Sequence, residues 1–198
     1  MCSVSTDDLA SPAFFRSWES ANPAFKLQTT IIEAARATSA APTFFRSIDI
    51  VGDAGYLQSF IDGGVRVNNP VRCVLNEART FSPTSEIDYI LSLGTGARSA
   101  IRIGAEYNIF KRLLLTRIRL ARALIKITTN CDTIANEVSL EYANQPGVYY
   151  RLNVDRGLEN VSLSEWTKMD DVWLRTVQYI QQLEVWHILA PLMGKLHH

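Results

Sequence analysis

Histidine is scarce in this chain, and the scarcity limits the chemistry that we expect from it. The three histidines, His187, His197 and His198, all lie near the end of the 198-residue sequence. A Ser-His-Asp triad or a histidine-rich metal site built from this chain alone is therefore not expected. No EF-hand-like loop or acidic cluster occurs either, so the sequence implies no calcium, no other metal and no cofactor.

Paired cysteines, net charge and long apolar runs are also lacking. Cys2, Cys73 and Cys131 are far apart and form no CxxC pair, a pattern typical of reduced thiols inside a cell. Twenty basic and twenty acidic residues give zero net charge, so the composition does not favour nucleic-acid binding. Asp7 and Asp8 interrupt the first residues, and no apolar run reaches about 20 residues. These features predict a cytoplasmic protein.

One stretch organises the rest of the chain. An apolar run ends at Asp62, Gly63 and Gly64 follow, and Asn69 and Pro70 open a helix as its cap and first residue. Asp62 is thus predicted where a strand ends, and open α/β sheets place reactive groups at such ends. The alternative is that Asp62 only caps a turn, because Asp and Gly are common turn residues.

The segment before this stretch predicts a helix and a hairpin. Residues 30–38 are good helix formers, with a cap at Thr29 or Thr30. Residues 44–51 and 56–61 predict two short strands joined by a tight turn.

A helix and a second strand are predicted after Asp62. Apolar residues at three- and four-residue steps predict an amphipathic helix over 70–81. Residues 87–93 predict a strand, and Gly94 and Gly96 turn the chain out of its end. A strand, a helix and a strand with glycine-rich exits are typical of a parallel α/β unit.

The remaining chain predicts further helices and one strand. We expect a helix over 131–143, a strand over 147–154, a final helix over 170–187 and a frayed end over 191–198.

Residues 109–127 predict a basic amphipathic helix. Five of its six cations gather on about a third of the helical circumference, whereas Arg117 projects from the apolar side. The five are Lys111, Arg112, Arg119, Arg122 and Lys126. Such a helix can lie on an anionic membrane surface as a peripheral contact. The alternative is a helix packed on the core with a solvated basic face.

Several motifs follow one another in the order of a known family. Residues 34–43 come first, then residues 61–65 with residues 68–70, then residues 91–96. Together they resemble the C-terminal half of a patatin-like phospholipase domain. The segment over 150–166 is similar to the continuation in fungal members.

The resemblance implies a fold, a reaction and a role for one residue. The implied fold is a three-layer α/β/α sandwich, and the implied reaction is hydrolysis of phospholipid or other acyl-lipid esters. The family uses a Ser–Asp dyad without histidine. Its Asp lies in an Asp-Gly-Ala or Asp-Gly-Gly motif, which here falls on Asp62, Gly63 and Gly64. A serine hydroxyl needs such a base to become a good nucleophile.

Two other parts of the family's machinery do not occur in this sequence. There is no Gly-x-Ser-x-Gly nucleophile elbow and no Gly-Gly-Gly-x-Arg-Gly-like oxyanion loop, and in the family both precede the Asp motif. We therefore expect a partial domain that lacks its N-terminal part, with core motifs over about 29–97 and an extension over about 105–190. Such a chain would be inactive alone.

Two alternatives remain open. One is a non-catalytic lipid-surface or protein-interaction module that retains the fold. The other is an unrelated α/β domain with chance motif matches.

Overall fold

The computed structural model describes residues 1–18, 29–42, 44–52, 55–96, 131–159, 161 and 165–196. The chain divides into two compact units, Met1–Asn76 with Tyr107–Ile134, and Glu77–Glu106 with Ala135–His198. The strands are β1 Cys2–Ser5, β2 Pro12–Phe14, β3 Ile48–Val51, β4 Leu57–Asp62, β5 Ile90–Leu93 and β6 Tyr149–Leu152. The helices are α1 Ile31–Thr38, α2 Val71–Phe81, α3 Cys131–Glu141, α4 Met169–Ile180 and α5 Leu183–Leu196, with short 3-10 helices at Gly63–Val65 and Trp166–Lys168.

The first unit contains a four-stranded antiparallel sheet in the order β2-β1-β4-β3. The predicted hairpin is confirmed, because β3 pairs with β4 with Ile50 opposite Gln58. The first strand of that hairpin begins at Ile48 rather than at residue 44. Strand β2 was not predicted; it is three residues long and begins with Pro12 at the sheet edge, where a missing N–H is tolerated.

Helix α1 covers one face of this sheet. The core beneath it contains Phe15, Ala34, Ala37, Ile50 and Phe60, and the rings of Phe15 and Phe60 meet edge to face at 5.4 Å. The two alanines let the helix backbone approach the aromatic rings closely, so the small residues of this helix serve packing.

A capping box fixes the start of α1. The Thr30 hydroxyl accepts a hydrogen bond from the Glu33 N–H, and Glu33 Oε2 accepts one from the Thr30 N–H at 2.8 Å. Sequence analysis predicted a cap at Thr29 or Thr30, and Thr30 is that cap. Hydrogen bonds from Thr30 hold the pKa of the Glu33 carboxyl below its usual value.

The second unit contains a parallel pair, β5 and β6, with Ser92 opposite Arg151. Parallel pairing was expected between the strands that became β4 and β5. In the described residues β4 instead has β1 on one edge and β3 on the other. Both edges of β4 are thereby occupied, and β5 takes β6 as its parallel neighbour.

The C-terminal helical region corrects the sequence prediction. A single helix over 170–187 was wrong, because α4 ends at Ile180 and α5 begins at Leu183. The fraying predicted over 191–198 is also wrong as far as Leu196, since α5 continues through Pro191. Proline in a helix removes one backbone hydrogen bond.

Packing compensates for that loss in α5. Val185 and Leu192 are buried on its inner face. Lys195 donates hydrogen bonds to Asp88 Oδ1 at 2.9 Å and to the Gly147 carbonyl at 3.1 Å. These contacts hold the last turns of the helix in place.

The mixture of helices and strands agrees with an α/β fold of patatin-like type. The three-layer sandwich stays a prediction. The predicted basic helix over 109–127 lies outside the described residues. Across the described stretches, every helix is too short or too polar to span a bilayer.

Candidate active site

Asp62 lies at the C-terminal end of β4, where the chain leaves the sheet. Its backbone N–H donates to the Ala40 carbonyl at 3.0 Å, which ties the strand end to the segment after α1. Its Oδ1 accepts a hydrogen bond from the Gly64 N–H at 2.7 Å and so caps the 3-10 helix Gly63–Val65. Asp62 therefore does cap the turn, as the alternative interpretation predicted, but only one of its two carboxylate oxygens takes part.

The second carboxylate oxygen has no acceptor role in the described part of the chain. The side chain is half-buried, and Oδ2 accepts no hydrogen bond from any described residue. A general base needs a free lone pair within reach of the hydroxyl that it deprotonates. Asp62 thus combines a fixed orientation with one available oxygen.

Gly63 is required by packing against β1. A Cβ atom at this position would lie 2.5 Å from the Cys2 carbonyl oxygen and 2.7 Å from Cys2 Sγ. Backbone atoms of a central strand cannot move aside cheaply, so only glycine fits. Thr38 donates its hydroxyl to the same carbonyl at 2.5 Å, which holds that part of β1 further.

Gly64 has a different reason to be small. A Cβ atom here would lie 3.1 Å from Asp62 Oδ1 and 3.6 Å from Asn68 Oδ1. That spacing is tight, but it involves side-chain atoms. The two glycines of the motif therefore have separate roles: Gly63 admits β1, and Gly64 leaves room for the carboxylate.

Cys2 is a neighbour of Asp62 that sequence reasoning missed. Burial raises the pKa of the Cys2 thiol above 9.0, and the neighbouring Cys73 and Asp62 raise it further, against the N-terminal amine. The thiol consequently stays protonated at neutral pH and is a poor nucleophile. Beside Asp62 it supplies a neutral packing surface.

Ser3 is a second missed neighbour. It pairs directly with Asp62 across β1 and β4, so both side chains leave the same face of the sheet. Ser3 is fully buried, and its hydroxyl has no hydrogen-bond partner among the described residues. Only the strand register, which no local motif encodes, could have revealed this pair.

Asn69 and Pro70 connect this turn to α2. Asn69 is buried; its Oδ1 accepts from the Val71 N–H at 3.3 Å and its Nδ2 donates to the Cys131 carbonyl at 3.0 Å. The Pro70 carbonyl accepts from the Val74 N–H at 2.9 Å. Asn69 thus performs the capping interaction expected of it, and α2 begins one residue after Pro70.

Gly94 and Gly96 belong to the second unit, at the exit of β5. Gly96 has a φ of +107°, a conformation that favours glycine, and its N–H donates to Asn153 Oδ1 at 2.9 Å. The predicted membrane-surface cations, Lys111, Arg112, Arg119, Arg122 and Lys126, all lie outside the described residues. In the stretches that the structure covers, His, Cys, Asp and Glu side chains do not gather in threes as around a metal ion.

The turn at Asp62 lies within a segment that matches a known family. Residues 5–75 match the family model of the patatin-like phospholipases. This segment belongs to the patatin-like phospholipase family. The resemblance on which the sequence analysis rested is thereby confirmed, and the similarity to fungal members stays a prediction.

Curated relatives extend the similarity beyond that segment. Calcium-independent phospholipase A2-gamma of Oryctolagus cuniculus is 30% identical over 155 residues, which cover 77% of this chain and 18% of the relative. The Homo sapiens protein of that name gives the same figures. Patatin-like protein 2 of Arabidopsis thaliana is 37% identical over 106 residues, covering 45% of this chain and 26% of that protein. The chain therefore spans about a fifth of the length of the phospholipases that it matches.

Proposed function

We propose that this chain supplies the proton-accepting carboxylate of a Ser–Asp dyad that hydrolyses lipid acyl esters. Asp62 is the base. The observation that carries the proposal is its half-buried carboxylate, with Oδ1 held by the Gly64 N–H at 2.7 Å and Oδ2 without a partner among the described residues. The names of the phospholipase relatives support a phospholipid substrate and turnover that needs no calcium.

The proposed chemistry proceeds in two steps. In the first, Asp62 Oδ2 accepts the proton of a serine hydroxyl as that oxygen attacks the acyl carbonyl. The ester bond to the lipid alcohol then breaks, and the alcohol leaves with the proton. In the second, the same carboxylate accepts a proton from water as the water oxygen attacks the acyl carbonyl. The bond to the serine oxygen then breaks, that oxygen takes the proton back, and the fatty acid leaves.

The serine is expected outside these 198 residues, because they contain no Gly-x-Ser-x-Gly. Preorganised N–H donors for the oxyanion are expected there too. We therefore propose that the chain alone does not hydrolyse lipids, since removing a nucleophile from such a unit can lower turnover by about 10⁶.

Two assays test the proposal. The purified chain is given mixed micelles of phosphatidylcholine, with and without a calcium chelator, and no fatty-acid release is expected. The chain is then fused behind a patatin-like segment that carries Gly-x-Ser-x-Gly, and release is expected whether or not the chelator is present. In the fusion, Asp62→Asn should lower turnover by about 10³-fold or more.

Asp7→Asn is the matched control, because Asp7 is an exposed acid of the same type in a loop of the same unit. Its turnover should stay within about twofold of the unmodified fusion. Release by the chain alone that Asp62→Asn abolishes would show that a nucleophile lies within the 198 residues. Equal turnover in the Asp62→Asn and Asp7→Asn fusions would exclude Asp62 as the base.

A second candidate function is attachment to a lipid–water interface, and the surface of α4 and of the 3-10 helix before it favours this function. Trp166 and Trp173 are 79% and 67% exposed, and Met169 and Ile180 continue the same exposed stripe along the helix. Trp is enriched where an apolar phase meets water, because its ring is apolar and its N–H is polar. We therefore propose a cytoplasmic chain that binds membranes peripherally.

Vesicle sedimentation tests this attachment. Paired Trp166→Ser and Trp173→Ser substitutions should reduce binding to phosphatidylcholine vesicles about tenfold or more. Leu140→Ser, on a residue that is 76% exposed on α3, should not change it. Charge reversal at Arg119 and Arg122 tests the predicted basic helix separately on anionic vesicles. Unchanged partitioning in all these variants would exclude a lipid-surface module.

A further inference from the structure

Arg151 occupies an unusual position in the second unit. It lies on β6 opposite Ser92 on β5, and its Nη1 donates to Ser92 Oγ at 3.0 Å. Ser92 is 8% exposed, and Arg151 itself is half-buried. This bond engages one of the five N–H donors of the guanidinium.

No carboxylate neutralises this cation within the described residues. Three other cations of the second unit do pair with carboxylates: Arg79 with Glu141, Lys168 with Glu165 and Lys195 with Asp88, at 2.7 to 2.9 Å. A half-buried charge without a partner is costly unless something else balances it. An anion from solution would do so.

The guanidinium is held at the glycine turn after β5. A Cβ atom on Gly94 would lie 2.7 Å from Arg151 Nη2 and would also contact Asn153 Oδ1. Gly94 therefore has no side chain in the space that these two groups occupy. The turn lies at the carboxyl ends of two parallel strands, which is where open α/β sheets bind ligands.

Asn153 is oriented by two further bonds. Its backbone N–H donates to the Tyr179 hydroxyl at 3.1 Å, and its side-chain Oδ1 accepts from the Gly96 N–H at 2.9 Å. Because Oδ1 is engaged, the Nδ2 group is the free end of this side chain, with no acceptor among the described residues. The N–H of Thr95 at the tip of the turn likewise has no acceptor there. Three kinds of hydrogen-bond donor thus belong to this glycine turn or to residues beside it.

We propose that Arg151, Asn153 and the N–H of Thr95 bind a phosphoryl anion at the turn Gly94–Gly96. The planar guanidinium fork matches two phosphate oxygens, and the amide groups can satisfy others. The anion is the phosphate of a lipid headgroup or free phosphate, which share this chemistry. The lipid source rests on the proposed function, whereas anion binding does not.

Calorimetric titration of the 198-residue chain tests the site with three probes. They are inorganic phosphate, dihexanoyl-phosphatidylcholine below its micelle concentration, and dihexanoylglycerol, which lacks the phosphate. We expect saturable binding of the first probe and none of the third. Binding of phosphatidylcholine as well assigns the anion to a headgroup, and binding of phosphate alone assigns it to the free ion.

Arg151→Met should weaken phosphate binding about 10- to 100-fold, because the charge and its fork are both lost. Arg151→Lys keeps the charge but loses the fork, and should weaken binding about tenfold. Arg156→Met is the matched control, since Arg156 lies nearby in sequence with a side chain 90% exposed, and it should change affinity less than twofold. A near-native circular dichroism spectrum for Arg151→Lys keeps the comparison valid if Arg151→Met does not fold.

Three outcomes would overturn the site: no phosphate binding through millimolar concentrations, equal losses in the Arg151 and Arg156 variants, or dihexanoylglycerol binding as well as the phospholipid. If Asp62→Asn has normal turnover in the fusion while phosphate binding still depends on Arg151, the proposed function fails and this site stands.

Discussion

Two glycine turns, each following a strand, differ in the charge that they present. In the first unit, the turn after β4 carries Asp62, whose Oδ1 is held by the Gly64 N–H. In the second unit, the turn after β5 faces Arg151 and Asn153. Both turns use glycine to bring other groups against the backbone. One presents a carboxylate oxygen that has no partner among the described residues, and the other presents N–H donors.

A glycine turn after a strand therefore does not by itself determine which functional groups lie beside it. At Gly63 the missing Cβ makes room for a neighbouring strand, whereas at Gly94 it makes room for two polar side chains. The first requirement concerns backbone atoms, which are rigid, and the second concerns side-chain ends, which can rotate. Stability should therefore depend on Gly63, and ligand binding should depend on Gly94.

Gly63→Ala is expected to have the largest effect on the fold. The new Cβ would meet the Cys2 carbonyl at 2.5 Å, and we expect a loss of about 2–3 kcal/mol in the free energy of unfolding. Urea denaturation of the purified chain measures it. Gly64→Ala is the control, at about 1 kcal/mol or less. Equal midpoints for the two variants would show that β1 does not restrict this turn.

Gly94→Ala should separate stability from binding in the second unit. Arg151 and Asn153 can rotate away from the new methyl group, so the unfolding free energy should fall by only about 1 kcal/mol. The same rotation would remove them from the proposed anion site. Phosphate affinity measured by calorimetry should therefore fall about tenfold or more. A variant with native affinity would contradict the role of Gly94.

Asp62→Asn should change the chemistry of Cys2. The Asp62 carboxylate is one of the groups that raise the pKa of the Cys2 thiol, so its neutralisation should lower that pKa toward 9.0. The rate of iodoacetamide labelling at Cys2, followed by mass spectrometry between pH 7 and 10, should rise at a given pH. Labelling of Cys131 in the same sample is the internal control.

The raised pKa of Cys2 also predicts that the free energy of unfolding falls at alkaline pH. The pKa of Cys2 in the folded state lies above the usual 9.0. The protonated thiol therefore contributes to the free energy of unfolding in full below pH 9.0. That contribution is lost as pH rises through the folded-state pKa, because the unfolded chain ionises more readily. Cys2→Ala should remove that part of the alkaline dependence in urea denaturation.

Ser3→Ala is expected to have the smallest effect. The buried Ser3 hydroxyl has no partner in the described residues, so its removal should leave the unfolding free energy within about 0.5 kcal/mol or raise it. Urea denaturation beside Ser5→Ala provides the measurement. A clear loss for Ser3→Ala alone would show that its hydroxyl supports the turn at Asp62.

Local signals explain what the sequence could predict. Thr30 and Glu33 are three residues apart, and the capping box that they form depends on neither sheet nor core. The strand end at Asp62 and the helix after Pro70 rest on signals within a few residues as well. The cap at Thr29 or Thr30, the strand end and the helix were each predicted, with small errors in their bounds, whereas the Glu33 half of the capping box was not.

Long-range pairing explains what the sequence could not predict. Cys2 and Ser3 reach Asp62 only because β1 pairs with β4, and no local pattern encodes that register. The break between α4 and α5 falls at Gln181 and Gln182, which are good helix formers, so helix propensity does not predict the end of α4. Arg151 has no carboxylate partner among the described residues, and its own segment does not reveal that Ser92 is its cross-strand neighbour.

The contact between Gly63 and Cys2 has a consequence for how such sequences are interpreted. A chain in which this turn had lost its catalytic role would still need glycine at this position, because the neighbouring strand leaves no room for anything larger. Gly63 would then be retained for packing alone, after the catalytic activity had been lost. Among the residues of this motif, retention of Asp62 rather than of Gly63 is therefore the sign of retained catalytic activity.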